Sequence, residues 1–582
     1  MTTTDSAPTQ SALPDAGLLD STKAALDAAI VDLTDGEKRW AATGVADRAH
    51  LLSLVHAAVA ENADGWVAAA LVAKSISPDS RLVGEEWTTG PYGVLTSIAA
   101  LGESLDAIAH NRSPIDRVRL GRALGNRVTV PVLPASSSDG VILNGFHAEV
   151  WLKPGIPEER VRSSAGLGAL HPGETGGIGL VLGAGNVTSI PALDVVYELF
   201  ANNRVVILKL NPVMDPLLAP FQAAFAPLIA QGLLRIVTGA GDVGGYLAQH
   251  PQITHVHITG SAATHDAIVW GTGAEATERR ADGTPLLGKP ITSELGGVGP
   301  VIILPGVWSE ADLKYQAEHV AAQRLHNGGY NCIAGQVVVL SADWPQREAF
   351  VEQLRIALAE APTRTPWYPG SDDRLAKAAS SYPQGQRVGT RLLIDVQPGA
   401  DASDLCSTEY FSPVLGILEL PGTGRAFLNA AVTTVNDDFV GTLGANIIGL
   451  PSTIRQLGSA FDAALERLEY GTIAVNAWTG LAFITPGAPW GAFPGNTIEN
   501  VQSGIGVVHN AFLLADTEKT ILRGPFRPFP RSVLNGELAL SPKPPYWVSS
   551  RSQAKTGRLL AEYAAHPSIT KLPGIIISGF KA

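Results

Sequence analysis

Between residues 19 and 109 apolar positions recur every three and four residues, as in the windows 23–33 and 48–67, with few glycines among them. That spacing lines one face of a 3.6-residue helix and predicts an all-helical lead-in. Past Asn111 the apolar runs shorten. Residues 141–143 and 146–152, separated by Asn144-Gly145, predict two strands about a tight turn, because Asn and Gly tolerate the positive φ such turns require. The hairpin so formed could pair with a second subunit or lie as an ordinary surface hairpin.

From Gly177 to Trp270 short apolar runs alternate with helical windows. Strands are expected at 178–182, 205–210, 233–238 and 255–259, and helices at 191–202, 216–229, 243–250 and after Ser261. Repeated strand–helix–strand units predict a mostly parallel sheet covered by helices, with ligands at the carboxyl ends of its strands. The same α/β texture continues from 302 to about 450. After Gly524 prolines punctuate the chain at 525–530 and 542–545. A helix at 553–565 and an apolar strand at 574–578 then suggest an ordered extension.

The 582 residues are enough for two to four domains. With 45% hydrophobic and 16% charged residues the chain is too apolar for disorder, yet no run is long and apolar enough to span a bilayer. Residues 1–15 lack the basic and apolar regions of a secretory signal and read as a mobile leader on a soluble, cytoplasmic protein. Two cysteines can form neither a disulfide framework nor a four-thiolate metal site. A net charge of -12 argues against nucleic acid or an anionic membrane as the main partner. His255 and His257, with no further Cys/His cluster, read as structural, so no metal is expected.

Candidate chemistry centres on Cys332, set among small residues in the stretch 327–336 before the apolar run 337–340. A nucleophilic cysteine needs a positive field or a base to populate its thiolate, whereas a free cysteine is also among the most buried residue types. Glu294 lies in an apolar, glycine-flanked stretch, Glu294-Leu295-Gly296-Gly297, where burial would raise its pKa toward that of a general base. At Thr259-Gly260-Ser261 a strand ends in a small-residue turn and a helix begins with a hydroxyl cap, a place for a pyrophosphate or for plain capping. Residues 239–244 match G-x-G-x-x-G, but no acidic residue closes a strand about 20 positions on.

Taken in order, these stretches resemble the aldehyde dehydrogenase superfamily over about residues 20–520. Asn327-x-Gly329-x-x-Cys332 is similar to its nucleophile motif, Glu294-Leu295-Gly296-Gly297 to its general-base motif, and Glu409-x-Phe411-x-Pro413-Val414 to its nicotinamide-ribose motif. Lys209 matches the adenosine-ribose lysine, Thr259-Gly260-Ser261 the pyrophosphate turn, and Asn186 the oxyanion amide. The resemblance implies an α/β fold with a Rossmann-like nucleotide-binding domain, an α/β catalytic domain and an oligomerisation hairpin. The chain would divide into a helical lead-in with part of the cofactor domain (16–138), the hairpin (139–156), the cofactor domain (157–297), the catalytic domain (298–478), a return segment (479–524) and an extension (525–582).

The resemblance further implies oxidation of a small-molecule aldehyde to a carboxylic acid by a homodimer or homotetramer. Cys332 would be the nucleophile, forming a thiohemiacetal and then a thioester. Asn186 would hold the alkoxide and Glu294 would activate water. NAD or NADP would be bound by Lys209, Gly241, Gly245, Gly260, Ser261, Glu409 and Phe411. A coenzyme-A-acylating aldehyde dehydrogenase or acyl-CoA reductase, and a non-catalytic dinucleotide-binding member, are the alternatives. Four departures from the family pattern stand out. Gly185 replaces an aromatic residue before Asn186, which predicts a wider pocket there. Leu210-Asn211-Pro212-Val213 after Lys209 leaves no carboxylate for the adenosine ribose. Tyr330 replaces a glutamine, and the late glycine-rich motif is only partly kept at 489–495.

Overall fold

Three long helices, Asp20–Ala42, Val45–Ala73 and Gly93–Ala109, form the expected lead-in. The first buries Leu26, Ile30, Leu33 and Trp40, a stripe at three- and four-residue intervals. Its Trp40 indole donates to the Leu199 carbonyl at 3.1 Å, which fastens the lead-in to the α/β part. The computed structural model describes residues 17–397 and 399–582, so the leader read over 1–15 lies outside the described residues. No helix among the described residues is long and apolar enough to cross a membrane.

Among the described residues seventeen strands follow, in two sheets. In chain order they begin with β1 (Gly121–Ala123), β2 (Arg127–Leu133), β3 (His147–Leu152), β4 (Ile178–Leu182), β5 (Val205–Lys209), β6 (Leu234–Val237), β7 (Ile253–Gly260) and β8 (Ile291–Leu295). Next come β9 (Gly299–Ile303), β10 (Gly335–Ser341), β11 (Gln386–Val388), β12 (Arg391–Asp395) and β13 (Val414–Leu420). The last are β14 (Gly444–Ile448), β15 (Thr472–Val475), β16 (Gly504–Ile505) and β17 (Thr517–Arg523).

One sheet has the order β16-β8-β7-β4-β5-β6, parallel except at β16. Its order reverses between β4 and β7, the switch point at which such sheets bind ligands. The second sheet runs β1-β2-β3-β17-β15-β14-β9-β10-β13-β12-β11. Its central strands β9, β10, β13, β14 and β15 are buried along most of their length, as parallel strands covered on both faces must be. The doubly covered sheets confirm the α/β expectation. They meet where β8 leads through a short turn into β9, and the candidate site lies at that seam.

Two expected elements are absent. Residues 141–152 do not form a hairpin: Ser136 and Asp139 build a reciprocal capping box that starts a helix at Ser137–Ile142. Asn144-Gly145 is the exit from that helix, and the Asn144 side chain accepts the Leu540 backbone N–H at 2.6 Å. Strand β3 pairs antiparallel with β2 on one edge and with β17 on the other, so both of its edges are paired within the chain. The apolar run 574–578 is helical rather than extended, inside Leu572–Gly579. A short apolar run does not separate the two by periodicity, and here Pro573 in the first turn sets a helical φ.

The extension after Gly524 is ordered as expected and returns to the lead-in. Helix Gln553–Ala565 packs on the short helix Val83–Trp87. A Cβ on Gly557 would lie 2.7 Å from the Gly84 carbonyl oxygen, so the two backbones touch because both residues are glycine. Gly557→Val is expected to cost about 1–3 kcal/mol by overpacking. Limited proteolysis should then release fragments ending within 553–582 at temperatures where the parent chain resists cleavage.

Candidate active site

The segment before β10 turns sharply: Asn327 and Gly328 have φ of 55° and 73°. A left-handed asparagine needs support, and two buried ion pairs supply it. Glu85 accepts the Asn327 backbone N–H at 3.1 Å and pairs with Arg364 at 2.6 Å. Lys74 donates to the Asn327 side-chain oxygen at 3.1 Å and pairs with Glu86 at 2.8 Å. From the other side Arg324 donates to the carbonyls of Gly329 and Ser412, at 2.7 and 2.6 Å. The turn is thus held by groups from the lead-in and from both ends of the catalytic sheet.

Cys332 follows, and its thiol donates to Glu294 Oε1 at 3.3 Å. The two residues come from different sheets, Glu294 closing β8 and Cys332 preceding β10. Burial raises the Glu294 carboxyl above its usual range, opposed by the Trp490 indole and reinforced by the charge of Asp194. Burial and the charges of Glu294 and Glu409 push the Cys332 thiol well above its ordinary value, so the resting sulfur is protonated.

Asn186, on the turn after β4, donates through its side chain to the Tyr330 carbonyl at 3.0 Å, and its own carbonyl accepts from Asn327 at 3.0 Å. That leaves one amide hydrogen beside the nucleophile turn. The space next to Gly185 is not open: a Cβ there would stand 2.6 Å from the Asn211 side chain. Asn211 itself caps the turn after β5 by accepting the Val213 N–H at 3.1 Å. The wider pocket expected at Gly185 is therefore filled from the neighbouring strand end. Tyr330 points away into an aromatic cluster with Trp367, Tyr368 and Phe411, its hydroxyl 2.7 Å from Ser371.

The residues expected to bind a dinucleotide gather along the carboxyl ends of the first sheet and across from it. Lys209 closes β5; burial lowers it to about 8, opposed by the charges of Asp215 and Asp242. Two carboxylates thus act electrostatically on Lys209, although none stands in the four residues after it. Gly241 opens helix Gly241–Gln249 and Gly245 lies in its second turn. Gly260 ends β7, and Ser261 caps helix Ala262–Trp270 by accepting the Thr264 N–H at 3.2 Å. Glu409 lies across the seam, where burial raises it to about 8 and Arg324 and Gly297 pull it back. A Cβ on Gly296 would meet the Glu409 carboxylate at 1.9 Å, and Glu409 Oε1 is buried without a partner. A buried acceptor left unmatched is what a ribose hydroxyl would satisfy, so these residues fit a dinucleotide. Phe411, at φ 41°, packs on Tyr368 beside it.

A family model described as "Aldehyde dehydrogenase family" matches residues 185–372, the span that holds Asn186, Lys209, Glu294 and Cys332. Over that span the chain is similar to the aldehyde dehydrogenase family. Among curated relatives, betaine aldehyde dehydrogenase 2 of Rhizobium meliloti (strain 1021) is 27% identical over 43% of this chain and 52% of that protein. Hydroxyisobutyraldehyde dehydrogenase of Mycolicibacterium austroafricanum is 25% identical over 44% and 50%. The chain thus spans about half the length of the curated relatives it matches. In fold it is similar to the NADP complex of NADP-dependent glyceraldehyde-3-phosphate dehydrogenase from Bacillus halodurans C-125, with TM-score 0.57, 18% identity and coverage of 86% and 91%. The NAD+ complex of a Mycobacterium tuberculosis aldehyde dehydrogenase gives 0.57, 17%, 85% and 89%.

The chain also carries a buried polar ladder in the first sheet. His257 and Thr259 of β7 stand in register with Thr292 and Glu294 of β8. Asp194 and Glu198, one turn apart on helix Ser189–Ala201, pair with His257 at 3.6 Å and His255 at 3.2 Å. Thr259 donates to Asp194 at 3.0 Å, and His509 lies 3.6 Å from it. The two histidines are thus partners of carboxylates. The available signal was a pair of acids four apart in an otherwise apolar helix. The Glu85 and Lys74 supports were not legible, being joined to Cys332 only by folding.

Burial opposes the charges of Asp194 and Glu198, but their histidine neighbours outweigh it and hold each carboxyl at about 2. Burial likewise pulls His257 down, yet Asp194 raises it overall. The Asp194 contribution is therefore complete above the ordinary carboxyl value of 3.8 and fades as pH falls toward 2. The His257 contribution is complete below 6.5 and is lost as pH rises through the raised folded value. Thermal melts should show this pair at full strength between about pH 4 and 6.5. Asp194→Asn is expected to abolish the alkaline loss and to cost somewhat less than the about 3–5 kcal/mol of breaking a buried fixed-charge pair, because imidazole can shed its proton.

Proposed function

We propose that the chain oxidises an aldehyde to a carboxylic acid with NAD or NADP, through a covalent adduct on Cys332. The observation that carries this reading is the 3.3 Å approach of the Cys332 thiol to the raised Glu294 carboxyl, beside an amide with a hydrogen to spare. Loss of the thiol proton toward Glu294 lets sulfur attack the carbonyl carbon, and the carbonyl electron pair becomes an alkoxide. The Asn186 amide and the Cys332 backbone N–H hold that oxygen; donors of this kind contribute about 3–4 kcal/mol each. NAD or NADP, when bound, supplies a cationic ring that accepts the hydride. Lys209, Ser261, Glu409 and Phe411 would hold it, with Gly241, Gly245 and Gly260 letting the backbone approach. Once Glu294 has passed the thiol proton to solvent, its carboxylate takes a proton from the water that attacks the thioester; the sulfur leaves, releasing the acid, and regains a proton from Glu294 to restore the thiol.

Glu294 beside the sulfur favours water over coenzyme A as the acyl acceptor. Cys332→Ser should abolish turnover and the burst of reduced nicotinamide. Glu294→Gln should keep a burst but lower steady turnover by about 10²–10⁴. Because Glu294 must be ionised to accept a proton, kcat is expected to rise with pH through its raised pKa, and the glutamine variant should lack that limb. Retention of wild-type turnover by both variants would refute the assignment, acid formation that requires coenzyme A would redirect it to the acylating reading, and no burst with any aldehyde would leave the non-catalytic one.

The negative field of Asp215 and Asp242 at Lys209 opposes a 2′-phosphate. NAD is therefore the expected cofactor. Steady-state kcat/KM should favour NAD over NADP, and Asp242→Asn should narrow the ratio.

A further inference from the structure

A cavity of about 390 Å³ lies beside the nucleophile turn. Its inner end is formed by the buried side chains of His326 and Trp478. Both touch the residues that flank Cys332: Asn331 donates to the His326 carbonyl at 3.0 Å, and the Trp478 indole donates to the Ile333 carbonyl at 3.2 Å. The outer end is marked by Phe529, Leu540 and Phe580, which line the cavity and are still 39%, 54% and 46% exposed. A channel with one buried end against the turn that carries the nucleophile and one open end is the shape a substrate chain requires.

The walls come from separate parts of the sequence, among them Leu481 and Ile484 after β15. Tyr92 belongs to the lead-in, Ile142 and Phe146 to the segment between β2 and β3, and Ile575 and Ile576 to the C-terminal extension. Lys543 is the one charged side chain in the lining, and its ammonium is bound to Glu318 at 2.6 Å. A carboxylate or phosphate on the substrate would meet no free cation there, whereas a hydrocarbon chain would meet mostly apolar surface. The volume falls in the range of about 300–1,000 Å³ typical of pockets that enclose a small molecule.

We propose that this cavity holds the hydrocarbon chain of the substrate, so that the enzyme acts on uncharged, medium- to long-chain aldehydes, with the C-terminal extension as the wall that sets chain length. The proposal rests on the aldehyde oxidation proposed above. Its test uses the full chain and straight-chain aldehydes from propanal to dodecanal. Each added methylene should raise kcat/KM by about three- to fourfold until the cavity is full. Ile484→Trp and Ile576→Trp, two lining substitutions from distant parts of the sequence, should each lower kcat/KM for decanal by at least about tenfold and leave propanal unchanged.

Calorimetric binding of 1-decanol, which needs no turnover, separates the two readings. Decanol binding that either tryptophan variant weakens at least about tenfold supports the cavity as a chain site even if no aldehyde is oxidised. Oxidation with no dependence on chain length, or decanol binding that both variants leave intact, overturns it.

Discussion

A thiol and a carboxyl held 3.3 Å apart at the seam of two sheets are the contact on which the rest of the molecule depends. Neither group tolerates displacement, since proton transfer between them fails beyond hydrogen-bond reach. Each is carried by a separate sheet, so both sheets must be locked. Glu294 is set by the register of β8 on β7, and Cys332 by a left-handed turn that asparagine and glycine can adopt and that two ion pairs from the lead-in support.

Burying that contact has electrostatic consequences through the surrounding core. Glu294, Asp194, Glu198, Glu85 and Glu86 are enclosed, Glu409 is half-buried with one oxygen sealed off, and isolated buried carboxylates would be very costly. The molecule answers in two ways. Where a partner is within reach, as with Asp194 and His257 or Glu86 and Lys74, the charge is kept and paired. At Glu294 and Glu409 the pairing is incomplete and the pKa rises. The two raised carboxyls are those that the proposed chemistry leaves free to meet water and cofactor.

The C-terminal extension belongs to the same arrangement. By docking Gln553–Ala565 against Val83–Trp87 it covers the lead-in residues next to Glu85 and Glu86, and its apolar side chains close a cavity that ends at the nucleophile turn. A segment that adds no group to the catalytic contact can thus shape what reaches it. The same segment reaches the Asn144 turn, where a tertiary hydrogen bond and a local capping box replaced the expected hairpin.

The sequence by itself determined the helical lead-in, the alternation of strand and helix, and the candidates Cys332, Glu294, Asn186 and Glu409. Those depend on local periodicity and on residue types within short motifs, which a linear reading preserves. Tertiary structure alone decided which groups surround them. Lys74 lies 253 residues from Asn327, and Leu540 lies 396 from Asn144. Asn211 fills the space beside Gly185, and Asp242 acts on Lys209 from the next strand's loop. Such pairings carry no periodic signal along the chain, because they exist only after packing has brought distant polar groups into a volume without water, where each must find a partner.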